Sequence, residues 1–303
     1  MVGLGLHRRM LPHERARLSD WNPVEHDPDD CVQTRSFDGI PGAVFRPITR
    51  HDRAIGLGVV ELHQYAGVSG GHKAVSVGCG SRATIQALHH RDRVTAPGVQ
   101  VGHVAENPFR AAVDALGAAA GCTHALVYIP ARNEWGFGEP AALIEMATKR
   151  LSPWQLVDRP SRVAVLRVPD AKATSLYQAS RAATYLALSP HPPLEHGATL
   201  RLHARLSEGL GSEAGFRTAL HTHTPPWSAL LRGAPPTGPG AQRAIMLALL
   251  AERFRLELWG VDDPEPFHAV HIPAFRGPPP TEPDHLVVSN PFHVLPQLSP
   301  LAR

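Results

Sequence analysis

The 303-residue chain, 43% hydrophobic and 19% charged, has the composition of a soluble globular protein long enough to bury one large or two medium cores. No apolar run approaches the roughly 18 residues of a membrane span. The basic residues follow the short apolar start instead of preceding it, which excludes a secretory leader pattern and points to the cytoplasm. A net charge of +3 with both signs interspersed excludes a nucleic-acid stripe, and three cysteines without a CxxC exclude a disulfide framework or zinc ribbon.

In chain order, residues 2–6, 54–60 and 125–129 read as short buried strands. The stretches 81–90, 108–120 and 139–150 between and after them carry helical patterning. A second series follows: strands at 161–167 and 198–203, helices at 175–188 and 240–254. Alternating strands and helices predict an α/β protein of two layered α/β domains with mainly parallel sheets and an interdomain cleft. The break in periodicity around Ser152-Pro153-Trp154 and Asp158-Arg159-Pro160 sets the domains at 1–158 and 159–284, with a tail, 285–303, expected to pack back on the first. The Pro/Gly-rich passages 235–240 and 264–283 read as loops.

The 19 histidines are the unusual count, and each has to be argued by position. The stretch running from His63 through Ser69-Gly70-Gly71-His72-Lys73 to His89-His90 holds the densest chemistry. It lies after a strand end, where open α/β sheets hold ligands. Its glycines let a backbone approach an anion, and Ser81 is a good N-cap for the helix behind them. It is not a P-loop, because the G-x-x-x-x-G-K spacing is unmet and Ala74 stands where a magnesium-binding hydroxyl belongs; a G-x-G-x-x-G fingerprint is absent too. Taken singly, His63 reads as a polar loop residue, Lys73 as a solvated lysine, and His89 and His90 as charges at a helix C-terminus. His221 and His223 have zinc-like spacing without an evident third ligand and read as loop residues.

Together these residues resemble the lactate racemase family, whose signature runs from a histidine through an S-G-G-x-K turn to a helix ending in histidine. His63, Lys73 and His89 keep that spacing. Gly5-Leu6-His7-Arg8 resembles the family's G-T-H-R, Asn107-Pro108 its G-N-P turn, and Tyr177-Gln178-Ala179-Ser180-Arg181 its Y-Q-x-x-K. The resemblance implies a nickel-pincer nucleotide carried covalently on Lys73 and cradled by Ser69, Gly70 and Gly71. It further implies His89 as the nickel ligand, His7 and His63 as paired acid and base, and Tyr177, Gln178 and Arg181 as contacts to the substrate carboxylate. The implied activity is racemisation or epimerisation of a small 2-hydroxy acid by reversible hydride transfer. The implied partners are that substrate and the enzymes that make the cofactor, with neither nucleic acid nor membrane. Relative to the family, His72 replaces an arginine, Arg181 a lysine, and the segment before the first strand has no counterpart. A partner chain supplying that segment is therefore also expected, and a non-catalytic or partner-dependent cofactor-binding homologue is the alternative. A histidine-rich metallohydrolase is the third reading, without any HExxH to support it.

Overall fold

The two predicted series of strands and helices fold as two units, Met1–Leu151 and Ser152–Arg303, and the computed structural model describes residues 1–302. In the first unit, β1 (Ala54–Val59) runs parallel to β2 (Cys122–Ile129), and β3 (Glu134–Gly138) closes the sheet antiparallel to β2. Four helices bear on the argument: α1 (Lys73–Ser76), α2 (Arg82–Leu88), α3 (Pro108–Ala119) and α4 (Pro140–Leu151). Side chains start three of them by satisfying the unpaired N–H groups of a first turn. Ser81 Oγ accepts from Thr84 N, Asn107 Oδ1 from Arg110 N, and the Glu139 carboxylate from Ala141 N and Ala142 N.

One side of this sheet is lined by small residues, and that lets the layer behind come close. A Cβ on Gly56 would lie 3.0 Å from the Gly71 carbonyl, and one on Gly136 would lie 2.8 Å from Leu143 Cδ1. The α1 helix packs on β1 and α3, and α4 packs on β2 and β3. Residues 2–6, expected as a strand, make a single parallel bridge from Val2 to Glu25 instead. The reason lies in the glycines: Gly5 has a left-handed φ of +56°, and Gly3 sits so close to Gly78 that a Cβ would be 2.9 Å from its carbonyl carbon.

The second unit contains β4 (Trp154–Val157), β5 (Ser161–Arg167), α5 (Leu176–Ala187), β6 (Leu194–His203), α6 (Ala214–Thr222), α7 (Ala241–Ala251), β7 (Arg255–Trp259), β8 (Ala274–Phe275), β9 (Leu286–Val288) and β10 (Leu295–Leu298). Its five-stranded sheet has the order β8-β7-β6-β5-β9, parallel throughout. Buried on both faces, such strands are apolar runs, as Ala164-Val165-Leu166 is. The α7 helix packs on α5 and α6. The division falls at Leu151/Ser152, ahead of the expected 158. The tail expected on the first domain divides differently: β9 joins β5 in the sheet, and β10 pairs with β4, both inside the second unit. The passage 264–283, read as a loop, contains the short helix Glu265–His268 as well as β8. Among the described residues no helix is long and apolar enough to cross a membrane.

Candidate functional site

Beyond β1 the chain makes a tight hairpin in which Leu62 pairs with Val68 and His63 with Gly67. Gly67 fits because a Cβ there would fall 2.2 Å from the His103 carbonyl oxygen. Ser69 fastens the hairpin's base: its hydroxyl donates to the Val59 carbonyl and accepts from Glu61 N. Asn107 fastens the tip through Nδ2, which donates to the carbonyls of Tyr65 and His103 at 2.8 Å each.

This hairpin decides how His63 is protonated. Its Nδ1 accepts from the backbone N–H groups of Tyr65 (3.3 Å) and Ala66 (3.1 Å). Backbone N–H groups only donate, so the proton of the neutral ring sits on Nε2. His89, the residue that ends α2, has the opposite arrangement. Its Nδ1 faces the Ile85 carbonyl at 2.8 Å, and a carbonyl only accepts. The neutral ring therefore carries its lone pair on Nε2, the form in which an imidazole binds a metal while a second partner fixes its orientation.

The two imidazoles share one aromatic partner. The Tyr65 ring lies edge-on to both, 5.7 Å from His63 and 5.7 Å from His89, and Phe109 packs against His89 at 5.4 Å. His90, by contrast, is exposed and faces Asp92 at 3.6 Å.

Between them in sequence lies the glycine turn. Gly70 and Gly71 have φ of +89° and +63°, and a Cβ on Gly71 would be 2.7 Å from Ile144 and 2.9 Å from Arg110 Nη2. Only glycine fits such a place. His72 then turns inward and is buried, and Lys73, half-buried, opens α1.

Behind the turn is a cluster that sequence reasoning missed. His72 Nδ1 meets Asp114 Oδ1 at 3.0 Å, and Arg110 grips both oxygens of Asp114 at 2.9 Å each while reaching the Val68 carbonyl. Burial pushes the Asp114 carboxyl up, but the hydrogen bond from His72 and the Arg110 guanidinium outweigh it and hold the group below the usual carboxylate range. The available signal was the Arg110/Asp114 spacing of i, i+4 on a helix, which by itself reads as an ordinary surface pair.

His7 is exposed on the N-terminal segment, which is tied to the end of α1 by Gly5 N donating to the Gly78 carbonyl. It borders a cleft of about 220 Å³ shared with Arg9, His26, Asp27, Asp29 and Arg82. Both arginines there are already engaged, Arg9 with Asp27 and Arg82 with Asp29. His26 is buried, and burial pushes its imidazole below the usual histidine range.

The second unit holds the other three expected residues, all on α5. Tyr177 lies in that unit's core against Phe216, and burial pushes its phenol up. Gln178 and Arg181 are half-buried; Arg181 Nη2 donates to Gln178 Oε1, and its guanidinium lies over the Phe292 ring at 5.4 Å. The structure thus sets His63 and His89 against Tyr65 and the Lys73 turn against α3, places His7 in the same unit, and puts Tyr177, Gln178 and Arg181 in the other.

Known proteins share this segment and this fold. Residues 1–102, which include the histidine hairpin, the glycine turn and α2, match the lactate racemase N-terminal domain. Over that third of its length the chain is similar to the lactate racemase N-terminal domain. The fold agrees over nearly the whole length. The lactate racemase apoprotein from Thermoanaerobacterium thermosaccharolyticum is similar with a TM-score of 0.80 at 17% identity, over 97% of this chain and 77% of that one. A structural-genomics protein from Thermotoga maritima is similar with a TM-score of 0.73 at 16% identity, over 98% and 84%. No curated protein matches the sequence significantly.

Proposed function

We propose that this protein is a racemase or epimerase of a 2-hydroxy acid that carries a nickel-pincer nucleotide on Lys73. The observation that carries the reading is His89. With Nδ1–H given to Ile85 O, its ring offers the Nε2 lone pair beside Tyr65, so the donor chemistry fits a nickel ligand. Lys73 would hold the nucleotide and His89 the metal; bound there, the group would supply a reversible hydride acceptor, held by the soft, covalently retained donor set that nickel accepts.

The chain's own part is to move protons and keep the substrate oriented. A base must take the hydroxyl proton as the α-carbon gives up its hydride, which leaves a planar 2-oxo acid open from both faces. His7 is exposed and suits that task. His63, fixed with Nε2–H outward from the hairpin, suits donation to the substrate oxygen; acting as a base would require its ring to leave the Tyr65 and Ala66 N–H groups. Gln178 and Arg181 present donors fit for a carboxylate, and Arg181 supplies the planar fork.

The His63 tautomer also favours a second reading, a cofactor-binding homologue without turnover. Coexpression with the cofactor's biosynthetic enzymes distinguishes the two. Peptide mass mapping is expected to find the adduct on Lys73. His89→Ala is expected to lose most bound nickel, and His90→Ala to keep it. Chiral analysis over a panel of 2-hydroxy acids should then show interconversion. An unmodified Lys73 in loaded protein overturns the site, whereas a fully loaded protein inert toward every acid rejects the racemase and leaves the non-catalytic reading.

A further inference from the structure

The first unit's sheet turns its small residues inward and its large ones outward. The small residues Gly56, Gly58, Ala125, Val127, Gly136 and Gly138 alternate with large ones along β1, β2 and β3, and α1 and α4 pack on this sheet. The large residues form continuous cross-strand rows. Leu57 pairs with Leu126 and Leu126 with Phe137; Val59 pairs with Tyr128 and Tyr128 with Trp135; Ile55 pairs with His124. The aromatic ones already touch within the sheet: His124 stacks on Phe137 at 5.3 Å, and Tyr128 lies tilted against Trp135 at 4.9 Å. Yet these rows face solvent: the five large apolar side chains at β1 and β3 range from 41% exposed at Val59 to 68% at Trp135. None of the eight residues is Asp, Glu, Lys or Arg.

Parallel strands are ordinarily buried on both faces. With about 150–250 Å² for each aromatic side chain, the exposed part of this face comes to roughly 600 Å². That is at the upper limit of the largest patch on a typical monomer, ~300–600 Å², and near the ~800 Å² that each partner gives to a stable interface.

We propose that this face is the interface of a two-fold symmetric dimer, so that its occupant is the same face of a second copy. Two features select a copy of the chain. The face carries no charge that would call for an oppositely charged partner. Its composition is also graded, aliphatic along β1 (Ile55, Leu57, Val59) and aromatic along β3 (Trp135, Phe137). A two-fold axis parallel to β2 stacks the sheets about 10 Å apart and lays each copy's β1 over the other's β3. Large aromatic side chains then meet smaller aliphatic ones on both edges, the isologous pattern in which one contact is made twice. In this arrangement Leu57 of one copy faces Phe137 of the other.

The test is the mass in solution of the full chain by sedimentation equilibrium at micromolar concentrations. The wild type is expected at about twice 32.7 kDa. Leu57→Glu and Phe137→Lys each place a charge in the interface and are expected to run as monomers with unchanged far-UV circular dichroism. Mixed together they are expected to restore dimers. A mixed pair sets the introduced carboxylate of one copy against the introduced ammonium of the other at one edge, and it keeps the native contact at the opposite edge. A monomeric wild type overturns the proposal, and so does a dimer that survives both substitutions. Failure of the mixture to associate, while the wild type dimerises, overturns the stacking of β1 on β3.

Discussion

At the scale of single residues, the two histidines around Tyr65 differ by where one proton sits, and their use follows from that. His89 meets a carbonyl four residues back; His63 meets two amides two and three residues ahead. One ring is prepared to give a lone pair, the other to give a proton. Nitrogen-15 correlation spectra of histidine-labelled protein near pH 8, assigned with His63→Gln and His89→Gln, should show the Nε2–H form for His63 and the Nδ1–H form for His89. A His63 signal from Nδ1–H would restore it as a ready base and remove the distinction between the two rings. The sequence showed both positions through their spacing from Lys73. It could not show the tautomers, because these depend on whether the neighbouring backbone is helix or turn.

At the scale of elements, the glycine turn is held from behind by α3. Asp114 joins His72 and Arg110, and Arg110 is buried with that carboxylate as its charge partner. Removing one member of a buried pair leaves the other charge uncompensated, which costs about 3–5 kcal/mol. Asp114→Ala is therefore expected to destabilise the protein by about 3 kcal/mol or more in chemical denaturation. Because the folded carboxyl lies below its usual range, its contribution is fully present above about pH 4 and is lost as the pH falls through the folded value. The acid limb of the wild-type stability curve should accordingly flatten in the variant, and a loss under ~1 kcal/mol would show the cluster to be incidental. Gly71→Ala meets both a left-handed backbone and Ile144; the backbone conformation alone costs about 1–2 kcal/mol, and an unchanged stability would show that the turn has room. The strand β3 was missed in the sequence, although Trp135-Gly136-Phe137-Gly138 alternates with the period of a strand; only pairing with β2 makes its glycines the close-packed side of a sheet.

At the scale of the whole molecule, the chain divides into two contiguous units, each with its own sheet and core. The second unit's ladders are complete within residues 152–302: β9 and β10 return to β5 and β4. A fragment of residues 152–303 is therefore expected to fold alone, with cooperative urea unfolding and native-like near-UV circular dichroism from Trp154, Trp227 and Trp259. A non-cooperative transition would show that this unit depends on the first. By itself the sequence determined the α/β alternation, the capped helix start at Ser81, and the spacing of His63, Lys73 and His89, because all of these are local: periodicity, turn chemistry and short-range order along one segment. The tertiary structure alone decided that Tyr177 is a core residue, that Arg110 and Asp114 serve the glycine turn, that the C-terminal strands belong to the second unit, and that the apolar rows of β1, β2 and β3 face outward. Each of those depends on which surfaces meet across tens of residues, and a side chain's pattern along its own strand does not say which face will be covered.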